Sequence, residues 1–345
     1  MNSFWRPILE TAGAVCGPDS NEIDHFGDAA AESAAARDAT VVVPLLHLGV
    51  IGIEGDDAKS FLHNQLTSDI NHLGEAGAQH SAWCTAKGRM LASFLVWRQG
   101  EGYRLALAAE LVSDLAKRFR MYILRAKATV TDLSGTLLLI GLSGPRAAEA
   151  LSAAGLPKPD GVLEVGVEGD TRVMRLDADR LVVAVPEHQA AAAWAALTAI
   201  ARPAGTGAWR WLDVRAGLPL VTGATREEFV PQMINYELIG GVSFNKGCYP
   251  GQEIVARTHY LGKLKKRMYR VHGDTADLPA AGADLYAPEF GEQSAGKVVM
   301  AAPAPETGWD ALVVLQTTTA EAGVVHLGAP DGPQLGFLPL PYALT

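Results

Sequence analysis

Cysteine is scarce in this chain. The three present in 345 residues, Cys16, Cys84 and Cys248, are odd in number and far apart. Such a set builds no disulfide framework. Without a C-x-x-C or a histidine-rich pairing it forms neither a structural zinc site nor an iron–sulfur site carried by the chain itself. A reducing compartment follows. Long apolar runs are also missing, and none could cross a bilayer. The opening stretch, MNSFWRPILETAGAVCGPDSNEIDHF, has Glu10 inside its short apolar run and acids after it, which makes a poor signal peptide. A cytoplasmic protein is expected. Positive charge is in deficit, 29 Lys and Arg against 38 Asp and Glu, for a net charge of −9. That balance argues against wholesale binding of DNA, RNA or an anionic membrane. Phosphate loops are absent too. GLSGPRAAEA lacks the Lys-Ser/Thr ending, and no G-x-G-x-x-G opens a strand–helix unit, so ATP and dinucleotides find no support.

Hydrophobic residues make up 48% and charged residues 19%, the balance of a compact folded chain. Its length exceeds what one core supports, so two or three domains are expected. Residues 1–38, acidic and alanine-rich from Asp19 to Asp38, read as a leading helix or arm. TVVVPLLHLGVIGIEG is strand text. Asp56 offers an N-cap for a helix through Ile70, with Ala58, Phe61, Leu62 and Leu66 at helical spacing. AQHSAWCTAKGRMLASFLVW and YRLALA are strands, and ELVSDLAKRFRMYIL is a helix. Two echoes follow in the same order. VIGIEGDDAKSFL (Val50 to Leu62) returns as LIGLSGPRAAEAL (Leu139 to Leu151). YRLALAAELVSDLAKRF returns as DRLVVAVPEHQAAAAWAAL. The prediction is an α+β fold made of duplicated units of antiparallel strands with helices on one face, over about 39–134 and 135–262, interleaved. AWRWLDVRAGLPLV is helical until Gly217 and Pro219. Short alternating runs with frequent Gly and Pro then predict a small all-β barrel over 263–345.

The candidate chemistry lies in VSFNKGCYPGQEIVAR, Val242 to Arg257. Most cysteines are small buried hydrophobes. Beside Cys248, however, Lys246 favours a thiolate. Pro250 reads as an early residue of a helix carrying Gln252 and Glu253, whose free N–H groups favour an anion as well. Gly247 and Gly251 permit a tight turn, and Glu253 opposes the anion. The local reading is an activated thiol on a turn. A nucleophilic hydrolase would need a base. His259 is near in sequence only, and His47, His63, His72, His80 and His272 read as surface or satisfied core residues, so no Cys–His–Asn arrangement is legible. The basic run Lys263, Lys265, Lys266, Arg267 and Arg270 reads either as a strand edge guarded by lysines or as a landing site for an anionic tail or RNA.

RAGLPLV followed by FVPQMINYELIGGVSFNKGCYPGQEIVARTHYLGKLKKR resembles the folate-binding YgfZ family, whose signature block stands here as Lys246 to Glu253. FLHNQLTSDI and CTAKGRMLASF resemble that family's N-terminal half. The resemblance covers about Val41 to Arg270. It implies the superfamily of the glycine-cleavage T-protein, a tetrahydrofolate-dependent aminomethyltransferase, and domains arranged around a folate channel. It also implies a role in assembly or repair of iron–sulfur clusters in client enzymes, a tRNA-modifying one among them, with Cys248 as the reactive residue and Lys246 beside it. Arg215, Gly247, Tyr249, Gln252 and Glu253 become the implied folate-site residues, and no residue is assigned to a metal. Two departures bear on the activity. Ala92-Ser93-Phe94 stand where aminomethyltransferases carry an acidic pair, and Arg215 in DVRAG takes the place of their pterin-holding glutamate, whose acceptor role a guanidinium cannot fill. An accessory factor is therefore the leading reading, folate-dependent one-carbon transfer the alternative, and an RNA-contacting module the third.

Overall fold

The computed structural model describes residues 4–17, 21–260 and 264–344. Asp19 and Lys263 lie outside the described residues. The chain forms two compact units. One comprises Met1–Leu62, Ile70–Gln79 and Phe94–Trp209, the other His63–Asp69, His80–Ser93 and Arg210–Thr345.

The first unit is α+β, and the sequence echoes fold alike. Strand Leu48–Glu54 leads into helix Ala58–Gln65, and strand Leu137–Ser143 into helix Ala147–Ala153. The later partners, Gly102–Ala108 and Arg180–Pro186, pair antiparallel with those strands and run on into helices Val112–Ile123 and Glu187–Thr198. The turn between strand and helix repeats to the degree. Gly55 has φ +118° and Gly144 φ +119°. A β-carbon would stand 2.3 Å from the Lys127 carbonyl oxygen at the first and 2.2 Å from that of Ala39 at the second. Only glycine tolerates both that φ and that approach. Gly144→Ala is accordingly expected to lower unfolding stability by about 2–3 kcal/mol in urea titration. A change under about 0.5 kcal/mol would mean that the Ala39 backbone retreats freely. Around the second strand–helix pair the core closes on Trp5, Ile23, Val42, Ile140, Val183 and Trp194, all buried.

Two local expectations fail in this region. Asp56 does not cap the first helix; its carboxylate pairs with Lys127 Nζ at 3.6 Å, while that of Asp57 accepts the Lys127 backbone N–H at 2.7 Å. The helix also stops at Gln65, short of Ile70. Leu66 bridges to Trp83, the Thr67 backbone N–H donates to the Ala82 carbonyl at 2.9 Å, and the Thr67 hydroxyl donates to that of Gly241 at 2.6 Å. Long-range bonds outcompete one more helical turn whose propensity gain is small.

The second unit carries a curled antiparallel sheet, the barrel-like element foreseen. Its order is His326–Leu327, Asp284–Tyr286, Gly296–Pro303, Trp309–Gln316, Lys266–Gly273, Gly336–Leu338. Lys266–Gly273 pairs along its length with Trp309–Gln316, and on its other side only Arg270–His272 pair, with Gly336–Leu338. Its two arginines are paired inside the unit. Arg267 bonds to Glu237, and Arg270 Nη2 reaches Asp310 Oδ2 at 3.0 Å. The same Asp310 oxygen accepts Trp211 Nε1–H at 3.0 Å, and its other oxygen stands 2.9 Å from His272 Nδ1. His272 Nε2 faces Asp274 at 3.0 Å. Burial pushes the His272 imidazolium down, but Asp310 and Asp274 outweigh it and raise the group above its usual 6.5. A raised folded-state value gives stability that is full below about pH 6.5 and lost as pH rises through the folded value. Urea midpoints should therefore fall between pH 6 and 8, and His272→Gln should flatten that part of the profile. An unchanged slope in the variant would remove the assignment.

Candidate functional site

The signature block sits on a turn that two other segments hold in place. Gly251 has φ +81°, and a β-carbon there would stand 2.4 Å from the Thr85 carbonyl oxygen and 2.7 Å from Gly88 Cα. The tip of the hairpin formed by Ala78–Cys84 and Met90–Gln99 thus presses directly on the motif, which explains the glycines of both CTAKGR and PGQE. For the same reason the motif helix begins at Gln252 and runs to Tyr260, and Pro250 is a turn residue outside it. The helix is fixed by Gln232 Nε2, which donates to the Val255 carbonyl at 2.6 Å.

Lys246 turns inward. Its ammonium donates to the carbonyl of His63, to that of Leu66 at 2.5 Å and to that of Ser68 at 3.0 Å. Three acceptors match the three N–H groups of an ammonium. Nζ also lies 5.1 Å over the Tyr249 ring. Burial pushes this ammonium down to about 8, with the Asp69 carboxylate pulling the other way. The expected role beside the thiol is thereby altered: Lys246 builds the turn, and its charge is spent on backbone carbonyls.

Cys248 and Gly247 are exposed, while Tyr249 is 6% exposed. The Tyr249 hydroxyl is buried without a hydrogen-bond partner among the described residues, as is Gln232 Oε1. Burial, with the Cys84 thiol adding to it, raises the phenol well above its usual 10. Gln252 Nε2 donates to the Lys246 carbonyl at 3.4 Å, and Glu253 is exposed. Arg215 ends helix Thr206–Arg215, with its guanidinium 5.3 Å from the Trp211 ring centroid. Ser93, in place of the acidic pair, accepts the Val221 N–H at 2.9 Å. His259 is engaged elsewhere, stacked on Phe244 with centroids 3.8 Å apart.

One pair escaped the sequence reading. His63 Nδ1 lies 3.2 Å from Asp69 Oδ1, and His63 Nε2 is 3.6 Å from where a β-carbon of residue 247 would sit. Both belong to FLHNQLTSDI, about 180 residues before the cysteine, and their i,i+6 spacing follows no legible motif. Among the described residues no group of three or more His, Cys, Asp and Glu is arranged to hold a metal ion.

The GCVT N-terminal domain matches residues 14–157. In three dimensions the chain superposes on the glycine cleavage system aminomethyltransferase T of Bartonella henselae with a TM-score of 0.80 at 20% identity, over 99% of this chain and 98% of that one. The fold is therefore that of the T-protein class. Within it, the tRNA-modifying protein YgfZ of Edwardsiella ictaluri is 32% identical over 300 residues, 85% of this chain and 89% of the relative. The protein of the same name from Klebsiella pneumoniae is 28% identical over 314 residues, 90% of this chain and 96% of the relative. The chain belongs to the YgfZ family.

Proposed function

We propose that this protein is a tetrahydrofolate-binding accessory factor for assembly or repair of iron–sulfur clusters in client enzymes, tRNA-modifying ones among them, with Cys248 as its reactive thiol. The observation that carries the reading is an exposed cysteine on a turn whose two flanking polar residues, Lys246 and Tyr249, are drawn inward and fixed. The thiol is thus presented outward on a rigid base, the arrangement that suits handing chemistry to another protein. The relatives' name, tRNA-modifying protein, supports the client class.

The residues fit a folate. The Tyr249 hydroxyl is a buried donor and Gln232 Oε1 a buried acceptor, each without a partner among the described residues. Such groups are costly unless a ligand or water satisfies them. Tyr249, Gln232, Gln252 and Arg215 would hold it; bound, tetrahydrofolate supplies a carrier for one-carbon units. Tetrahydrofolate titrated calorimetrically into the protein is expected to bind, and Tyr249→Phe to weaken binding about tenfold, the worth of one hydrogen bond. No binding heat at millimolar ligand would remove folate from the proposal.

Aminomethyl transfer is the weaker reading. Ser93 and Val221 already satisfy each other where a carboxylate would act, and Arg215 lies against Trp211. Sustained tetrahydrofolate-dependent formaldehyde release from an amine donor would reverse the order of the two.

A further inference from the structure

We propose that the cavity lined by Arg104 and Arg172 binds a small zwitterion of the amino-acid class, with its carboxylate on Arg172 and its ammonium at Glu101 and Asp170. None of these residues belongs to the signature block or to the implied folate-site set. The proposal therefore stands or falls apart from the cluster and folate readings.

The cavity lies wholly within the first unit, where two hairpin turns meet. One turn joins strands Met90–Gln99 and Gly102–Ala108, the other Val165–Glu168 and Thr171–Arg175. Gln99 Nε2 ties them together by donating to the Asp170 carbonyl at 3.0 Å. The enclosed space is about 340 Å³. Small-molecule sites span about 300–1,000 Å³, so this one suits a small ligand. A β-carbon at Gly102 would stand 2.6 Å from Glu54 Cγ and 2.9 Å from Arg104 Nη1. Glycine there leaves room for the Glu54–Arg104 pair in the cavity wall.

Arg172 carries the argument. It is only 6% exposed. Its Nη1 donates to the carbonyls of Gly169 at 2.7 Å and Thr171 at 3.0 Å, which clasps the turn. That clasp accounts for one nitrogen. Nε is buried without a partner, and Nη2 makes no hydrogen bond among the described residues. No carboxylate among them is paired with this guanidinium either. Burial holds it below its usual value, while the charges of Glu75 and Asp170 pull it up and that of Arg104 pushes it down. A buried cation without a counter-ion is costly, and a bound anion offsets that cost. Nη2 and the adjacent Nε form the fork that grips both oxygens of a carboxylate.

The remaining charges choose among anions. Arg104 is already matched by Glu54 at 2.7 Å. Asp170 is exposed, and the Glu101 side chain is 97% exposed, 3.8 Å from Arg98. The cation of the lining is thus buried and its two unmatched carboxylates stand toward water. A dianion such as phosphate, or a bare carboxylate, would meet those carboxylates with nothing to offset them. A zwitterion meets a complementary charge at each end.

The test follows the backbone amides of residues 99–104 and 169–172 by NMR in the full-length protein. It is titrated separately with each protein amino acid, with acetate, with methylammonium and with inorganic phosphate. At least one amino acid should shift these amides saturably at millimolar concentration or below. Acetate, methylammonium and phosphate should each bind at least about tenfold more weakly. Arg172→Lys keeps the charge but loses the planar fork, and should weaken the same amino acid at least about tenfold. Asp170→Asn, on an exposed turn, should weaken it about threefold and tighten acetate. The proposal is overturned if no amino acid shifts these amides, or if acetate or phosphate binds as tightly as the best amino acid. Unchanged binding by Arg172→Lys overturns it too, and would leave Arg172 as a turn clasp alone. Should that variant fail to fold, the probe series on the unaltered protein and on Asp170→Asn decides by the same criteria.

Discussion

Cys248→Ala should yield a folded protein that no longer restores iron–sulfur enzyme activity in a bacterial strain lacking its own family member. The side chain is exposed, so its removal should change stability by less than about 0.5 kcal/mol. Activity of the client enzymes should stay at the level of the empty strain. Cys84→Ala makes the informative control. Cys84 is buried at the hairpin tip, with its thiol raised to about 12 by burial, and is inert as a nucleophile. Its replacement should lower stability by about 1 kcal/mol through a small cavity and leave restoration intact. Full restoration by Cys248→Ala, or its loss in a stable Cys84→Ala, would overturn the assignment of the reactive thiol.

Lys246→Met should damage the fold of the site more than its charge. Methionine keeps the stem but removes the three N–H groups that satisfy the carbonyls of His63, Leu66 and Ser68. Bonds to a charged donor contribute about 1.5–3 kcal/mol each, but one ammonium lost from a half-buried site, partly replaced by water, is expected to lower stability by about 3 kcal/mol in all. Hydrogen exchange should rise in residues 63–69 and in 245–251 together, because one side chain ties both. Client restoration should fall with it. If the unfolding midpoint moved by less than the equivalent of about 1 kcal/mol, Lys246 would be a charge near the thiol, as the sequence first suggested, and not the clamp described above.

That contrast shows where the sequence could be read and where it could not. The strand–glycine–helix echo was legible because Gly55 and Gly144 serve a local need, a left-handed turn, and local needs leave periodic text. The barrel was legible from short alternating runs between turns. The signature block was legible because several special residues fall within eight positions. In contrast, the helix end at Gln65, the pairing of Arg270–His272 with Gly336–Leu338 and the pairing of Arg267 with Glu237 all depend on partners remote in the chain. Arg267 and Arg270 looked like part of a ligand surface because nothing in their own text names the acids, Glu237 and Asp310, that pair with them.

By itself, then, the sequence determined the class of elements, the duplicated order of strands and helices, and that Cys248 stands on a glycine-rich turn. Tertiary structure decided what surrounds that thiol. It turned Lys246 away to carbonyls 178 to 183 residues earlier in the chain and brought the His63 ring to face Gly247. The physical reason is that turn chemistry is fixed by the φ of one or two residues, whereas the fate of a charge is fixed by whichever partner the fold brings within about 3 Å, and sequence distance carries no record of that approach.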